Sequence, residues 1–306
     1  MVIDIYFPGL YILVPGKMAG SSVIIALTAD YSEEVTMSQI SGAQAIVKCL
    51  LEENVNTIFG YPGGAVIDLY DELMESPELN HVLVRHEQAA VHAADGYARV
   101  SGEVGVALLT SGPGATNGVT GIATAYMDSI PIVILTGQVP TPLIGNDAFQ
   151  EVDIVGITRP CTKHNYLVNS KEELIGVMRE AFHVALTGRP GPVLVDLPKD
   201  IINSTIDFEE RKPIHMPSYQ PNIEPHMEQV DKACRLIMEA RKPVLYVGGG
   251  VILSNGAAEL TELAVKLNIP VTMTLMGLGA FPGHHELSMG MLGMHGTYTA
   301  NMAVAE

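Results

Sequence analysis

The chain reads as an α/β protein: a doubly wound parallel sheet, followed by a second α/β domain that is incomplete. Three observations predict this. Apolar runs of strand length alternate with helix-period segments at least five times before residue 202. Several of those runs end in glycine-rich turns, which let backbone approach a ligand closely. Pro213, Pro217, Pro221 and Pro225 then recur every four residues among polar ones, marking 203–226 as an extended linker before a unit at 227–306.

Residues 1–36 stand apart. They are apolar but broken by Pro8-Gly9, Pro15-Gly16 and Gly20, with no basic start for a signal peptide and no run long enough to span a bilayer. We expect an upstream extension there, with a weak membrane anchor as the other reading. Met37-Ser38-Gln39-Ile40 is expected to open the first helix, within a domain spanning 37–202. Ser41 and Gln44 have the spacing of a capping box, and Ala43, Ile46, Val47, Leu50 and Leu51 form one apolar helical face.

Thr57-Ile58-Phe59 is the first strand, closed by Gly60-Tyr61-Pro62-Gly63-Gly64. An amphipathic helix leads to the strand His81 to Arg85, and a small-residue helix runs through Ala93 to Arg99. Val104–Leu109 is a buried strand ending in Thr110-Ser111-Gly112-Pro113-Gly114-Ala115-Thr116-Asn117, a helix start without the lysine of a phosphate-binding loop. Ile130–Thr136 is the next strand, followed by the polar loop 144–151. Ser170 and Glu173 suggest a second capping box before the helix carrying Leu174, Val177, Met178, Ala181 and Ala185. Pro192–Leu197 is expected to be the last strand of this unit. In the second unit, a helix at 227–240 precedes the strand 243–247 and the triplet Gly248-Gly249-Gly250. A helix at 257–267, a strand at 270–274 and a helix start near Thr297 follow; Leu253 occupies the third glycine position of a dinucleotide fingerprint.

Composition bounds the function. A chain of 306 residues with 47% hydrophobic and 17% charged residues has material for two cores. A formal net charge of −17 argues against nucleic acid or an anionic membrane as partner and suits a cytoplasmic enzyme. Cys49, Cys161 and Cys234 are widely spaced and odd in number, so they read as free thiols.

The residue that gathers the rest is Glu87. It stands where an apolar strand gives way to a helix, so it is placed at the carboxyl edge of the sheet, where open α/β sheets bind ligands. The helix dipole there favours a charged carboxylate and burial favours a neutral one, a balance suited to passing a proton back and forth. The competing reading is that Glu87 caps its helix or pairs with Arg85. A zinc-protease motif fails on spacing, since Ala90 stands four residues after His86.

Gly60-Tyr61-Pro62-Gly63-Gly64-Ala65, Arg85-His86-Glu87-Gln88-Ala89-Ala90, Gly96-Tyr97-Ala98-Arg99 and Thr110–Asn117 occur in one order with Gly145–Glu151 and Gly188–Asp200. Leu275-Met276-Gly277-Leu278-Gly279 and Leu292–Thr297 complete the set. Over residues 37–306 this set resembles the thiamine-diphosphate enzymes, and most closely the acetolactate synthase (acetohydroxyacid synthase) large-subunit family. The resemblance implies that 37–202 binds the aminopyrimidine of thiamine diphosphate, that Glu87 shares a proton with its ring nitrogen, and that Tyr61, Pro62 and Gly63 line the pocket. It assigns Phe149, Gln150 and Lys199 to an active-site channel across a subunit interface, with Glu87, Gln150 and Lys199 as the catalytic set. It assigns Arg189, Gly248, Gly249, Gly250, Leu275, Met276 and His295 to FAD, in a truncated central domain at 227–306.

The implied reaction decarboxylates pyruvate and joins the two-carbon unit to pyruvate or 2-ketobutyrate, in branched-chain amino-acid synthesis. A homodimer or larger homo-oligomer is implied, and a small regulatory subunit is common in the family. The family's Gly-Asp-Gly…Asn motif, which ties Mg2+ to the diphosphate, does not occur in this sequence. No metal site is therefore assigned here, and the chain by itself is expected not to catalyse the reaction. A sister carboligase or decarboxylase and a non-catalytic, flavin-binding, dimerising module are the alternatives. A nicotinamide dehydrogenase is a remoter one, against which the missing glycine fingerprint counts.

Overall fold

The structure, a computed structural model, describes residues 38–209 and 213–305; the reading of 1–36 lies outside them. In chain order the first unit comprises β1 (Ser38–Ser41), α1 (Gly42–Glu52), β2 (Thr57–Gly60), α2 (Ile67–Met74), β3 (Asn80–Leu83) and α3 (Glu87–Ser101). It continues with β4 (Gly105–Leu109), α4 (Pro113–Asn117), α5 (Val119–Asp128), β5 (Ile132–Gln138) and α6 (Ile154–Thr158). Next are β6 (His164–Leu167), α7 (Leu174–Leu186), β7 (Val193–Pro198), α8 (Lys199–Ile202) and β8 (Thr205–Phe208). The second comprises α9 (Met227–Glu239), β9 (Leu245–Val247), α10 (Gly250–Leu253), α11 (Ala257–Leu267), β10 (Val271–Met273), β11 (Ser288–Met291) and α12 (Tyr298–Ala305).

Six strands form the main sheet, in the order β3-β2-β4-β5-β7-β6, with every pairing parallel. The central strands are apolar on both faces because both are covered. Val106, Leu108, Val133, Leu135, Val193 and Val195 face a core shared with α1, α2 and α7, while Ala107, Leu109, Ile132, Ile134 and Leu194 face one shared with α3 and α5. On that second face the small residues earn their place by allowing close approach. A Cβ on Gly105 would lie 2.1 Å from the Ala94 carbonyl oxygen, and one on Gly121 would lie 2.7 Å from Val91.

The chain passes from β2 outward to β3 and then back across to β4. The carboxyl ends of β2 and β4 therefore flank a switch in strand order, where a crevice forms in sheets of this kind.

Four expectations are corrected. Ser38–Ser41 is a strand rather than a helix start: it pairs antiparallel with Thr205–Phe208, and the helix waits for its capping box. That box is complete, with Ser41 accepting from the Gln44 N–H and Gln44 accepting from that of Ser41.

The pairing also takes 205–208 out of the stretch read as linker and adds a strand after β7. Further along the same stretch, Met216 and Tyr219 pack on the α1–α7 core. At Ser170 only the glutamate half of the expected box forms. Glu173 accepts from the N–H groups of Asn169 and Ser170, and the helix starts at Leu174. Two further strands went unanticipated, β6 and β11, whose sequences His-Asn-Tyr-Leu and Ser-Met-Gly-Met lack an apolar run.

The second unit holds a three-stranded parallel sheet, β11-β10-β9, around Val247, Ala264, Val271, Met273 and Phe281. Its α9 buries none of its residues; Leu236 and Met238 stand open to solvent.

Candidate active site at the carboxyl edge of the sheet

Glu87 is the first residue of α3 and is 9% exposed. It does not cap the helix. His86 does, accepting the Gln88 N–H at Nδ1 over 3.1 Å. Nor is Arg85 its partner: Glu87 Oε2 accepts a hydrogen bond from Asn117 Nδ2 at 2.9 Å. Asn117 ends α4, the short helix opened by the Gly112-Pro113-Gly114 turn, and Glu87 Oε1 lies 3.3 Å from where a Gly114 Cβ would stand. The negative group against that helix start is therefore a side chain of the chain itself.

Around Glu87 the edge is lined with polar atoms that protein groups leave unmatched. Thr110 Oγ1, Tyr70 Oη and His81 Nε2 are buried without a hydrogen-bond partner. Thr110 sits between two glycines, since a Cβ at Gly63 or Gly114 would come within 2.5 Å of it. Tyr70 and His81 meet edge-on, ring centroids 5.0 Å apart, both against Gly60. Burial, and then the negative charge of Glu87, push the Tyr70 phenol well above its ordinary range, while burial lowers the His81 imidazole. Buried polar atoms left unmatched by protein are sites for water or a polar ligand.

The other expected residues fall into two groups. Tyr61, Pro62 and Gly63 follow β2 directly, with Gly63 against Thr110, and Tyr61 is 41% exposed. Lys199, at the start of α8, donates from Nζ to the Gly64 carbonyl at 3.0 Å and stands 3.9 Å from Asp68. Phe149 is almost fully exposed. Gln150 next to it takes a left-handed backbone (φ +58°) that lies against Gly112. Glu87, Gln150 and Lys199 thus share one edge of the sheet.

The second group lies elsewhere. Gly248–Gly250 follow β9, Leu275 and Met276 follow β10, and His295 follows β11, so all stand at the carboxyl ends of the three-stranded sheet. A Cβ on Gly250 would meet nothing within 4 Å, which leaves open space for a ligand. Arg189 lies at the opposite, amino edge of the main sheet. Its guanidinium donates to Ser129 Oγ at 2.8 Å and to the carbonyls of Tyr126 and Met127, closing the carboxyl end of α5. Arg99 binds Asp128 of that same turn at 2.7 Å and reaches Met276 Sδ at 3.7 Å. The last turn of α5 is therefore common to Arg189 and, through Arg99, to Met276.

Asn117, Thr110, Tyr70, His81 and the loop carboxylate Glu151 were not singled out from sequence. Asn117 carried one signal, its place at the end of a glycine-rich turn; its thirty-residue separation from Glu87 hid the pairing.

Residues 40–157 match the family model for the thiamine pyrophosphate enzyme N-terminal TPP binding domain, and 230–306 match the model for the central domain of the same enzymes. The chain belongs to the thiamine pyrophosphate enzymes. Among curated relatives it is 56% identical over 270 residues to the acetolactate synthase large subunit of Buchnera aphidicola (subsp. Schizaphis graminum), covering 88% of this chain and 47% of that one. The acetolactate synthase isozyme 3 large subunit of Escherichia coli K12 is 55% identical over 270 residues, with the same coverage. A probable acetolactate synthase large subunit of Methanocaldococcus jannaschii is 56% identical, covering 87% of this chain and 46% of that one. The chain spans about half the length of these relatives.

Proposed function

We propose that this chain supplies the aminopyrimidine-binding and flavin-binding parts of an acetolactate synthase catalytic subunit. The observation that carries this reading is the placement of Glu87: a buried carboxylate, held by one donor on one oxygen, at the strand-order switch beside a glycine turn and an unmatched threonine hydroxyl. Those residues fit an aminopyrimidine, a flat heterocycle that offers a ring nitrogen to a carboxyl group and needs polar partners at its rim. Tyr61, Pro62 and Gly63 would hold it. When bound, thiamine diphosphate supplies the electron sink that lets a 2-keto acid lose carbon dioxide.

What the chain itself contributes is orientation and proton traffic. Glu87 Oε1, which takes no side-chain donor, would share a proton with the ring nitrogen, while Asn117 fixes Oε2 and so the plane of the carboxyl group. Burial keeps bulk water from competing for that proton. Lys199, tied to the Gly64 carbonyl, and the exposed pair Phe149 and Gln150 sit at the mouth of the same edge, placed to meet pyruvate and 2-ketobutyrate. Exposure of Phe149 suits a channel completed by a second copy, in a homodimer or larger homo-oligomer. A regulatory subunit belongs to the same reading, as does a cytoplasmic location; among the described residues no helix is long and apolar enough to cross a membrane.

FAD fits the glycine-lined edge of the second sheet, with Arg189, Gly248–Gly250, Leu275, Met276 and His295 as its contacts and a mainly structural role. Magnesium belongs with the diphosphate, on residues outside this sequence. The test is a chimera joining this chain to the remaining C-terminal half of the Escherichia coli isozyme 3 large subunit. Supplied with thiamine diphosphate, Mg2+ and FAD, it is expected to form acetolactate from pyruvate. Acetaldehyde as the main product would replace this reading with a sister decarboxylase. A flavin spectrum without carbon dioxide release would replace it with a non-catalytic module.

A further inference from the structure

We propose that Glu151 is a positioning residue: its carboxylate gathers the 145–151 loop and, through Gln150 and Gly112, holds α4 and Asn117 against Glu87. The part that concerns Glu87 rests on the function proposed above. The loop is strained. Gly145, Asp147 and Gln150 all lie in the left-handed region, at φ +82°, +53° and +58°. Glycine is at home there and aspartate is tolerated, whereas glutamine takes that conformation at a cost, which surrounding contacts offset.

Glu151, the next residue, ties the loop together around Gln150. Its two oxygens accept the N–H groups of Gly145 and, at 2.8 Å, Ala148, and the N–H of Asn146 faces it too. Amide bonds to an ionised carboxylate are the strong kind. The Gly145 and Ala148 N–H groups hold the Glu151 carboxyl below its ordinary range, so it is charged at neutral pH. One residue on, the Val152 carbonyl accepts from buried Gln138 at 2.9 Å, so the loop is fixed from below as well.

The contact then passes to the site. A Cβ on Gly112 would sit 2.5 Å from the Gln150 carbonyl oxygen and 2.9 Å from its Cα, so the two backbones are seated on each other. Gly112 has φ +55° and opens α4: its carbonyl accepts the Thr116 N–H at 3.0 Å, and the next residue, Asn117, holds Glu87. Glu151 and Gln150, adjacent in the chain, thus connect through Gly112 and Thr116 to Asn117 and Glu87.

Amide hydrogen exchange on the whole chain tests this without cofactor. In Glu151→Ala, the amides of 145–150 and of 114–118 are expected to exchange at least about tenfold faster, with β4 and β5 unchanged. Glu151→Gln keeps an acceptor oxygen and should restore part of the protection, while unchanged exchange in β4 and β5 separates this from a global loss of stability. Gly112→Ala, with Glu151 intact, should loosen the same two segments from the other side. If in Glu151→Ala the loop loosens while 114–118 stays protected, the relay is wrong. If neither segment responds, the clamp is wrong. Glu87→Gln should leave loop exchange as in the unaltered chain. Its effect on turnover in the chimera tests the reading of Glu87 separately, so the two can fail independently.

Discussion

Glu87 and Asp196 are two buried carboxyl groups at the same end of the sheet, and their surroundings set them to different tasks. Glu87 has one donor on Oε2 and unmatched polar atoms nearby, an arrangement on which its proposed exchange of a proton with a bound ligand rests. Replacing Asn117 with Ala removes that donor and leaves a carboxylate oxygen unpaired. We expect a loss of about 1–3 kcal/mol in urea unfolding, with the midpoint lowered at unchanged slope. Asp196, by contrast, is sealed at 1% exposure between Thr136 Oγ1 (2.7 Å) and Gln138 Nε2 (2.9 Å). Burial pushes its carboxyl from 3.8 up to about 7, although both hydrogen bonds oppose the rise.

A carboxyl raised in the folded state holds its proton more tightly there than in the unfolded chain. Its contribution to stability is therefore greatest below about pH 4 and declines as pH climbs toward 7. Asp196→Asn should flatten that decline between pH 4 and 8, because asparagine has no proton to lose over that range. Unfolding curves across that range check it, and an unchanged slope with pH would remove Asp196 as the cause. Glu87 was legible in the sequence because its place depends only on where a strand ends. Asn117 and Asp196 were not, because their roles depend on which strands become neighbours.

The elements show the same division between local and long-range causes. The start of α1 could be read off four residues, since a capping box is chemistry within one turn. Ser41→Ala should cost about 1 kcal/mol and lower the melting temperature by a few degrees in calorimetry; no shift would mean that the Gln44 half suffices. The strand before it was misread because Ile40 fits a helical face as well as a strand. What decides the matter is the partner Thr205–Phe208, more than 160 residues away. Strand β6 was invisible for a related reason. As an edge strand beside β7 it needs no continuous apolar run, and its sequence offers none.

At the scale of the whole molecule, the two glycine-rich edges belong to two different sheets. One gathers Glu87, Tyr61, Gly63, Lys199 and Gln150; the other gathers Gly248–Gly250, Leu275, Met276 and His295. They are linked through the body of the first unit, where the last turn of α5 holds Arg189 on one side and Arg99, with Met276, on the other. Motif order in the sequence is the ground on which both sets are proposed, but it does not show that Arg189 stands at the amino edge of its own sheet, away from Glu87. The central claim is that Glu87 handles the proton on which catalysis depends. The measurement that tests it most directly is the turnover of pyruvate by the chimera carrying Glu87→Gln, with its far-ultraviolet circular dichroism recorded alongside. We predict that kcat falls at least about a hundredfold while the spectrum is unchanged, because glutamine keeps the shape and the Asn117 contact but cannot exchange the proton. Turnover within a few-fold of the unaltered chimera would contradict the account.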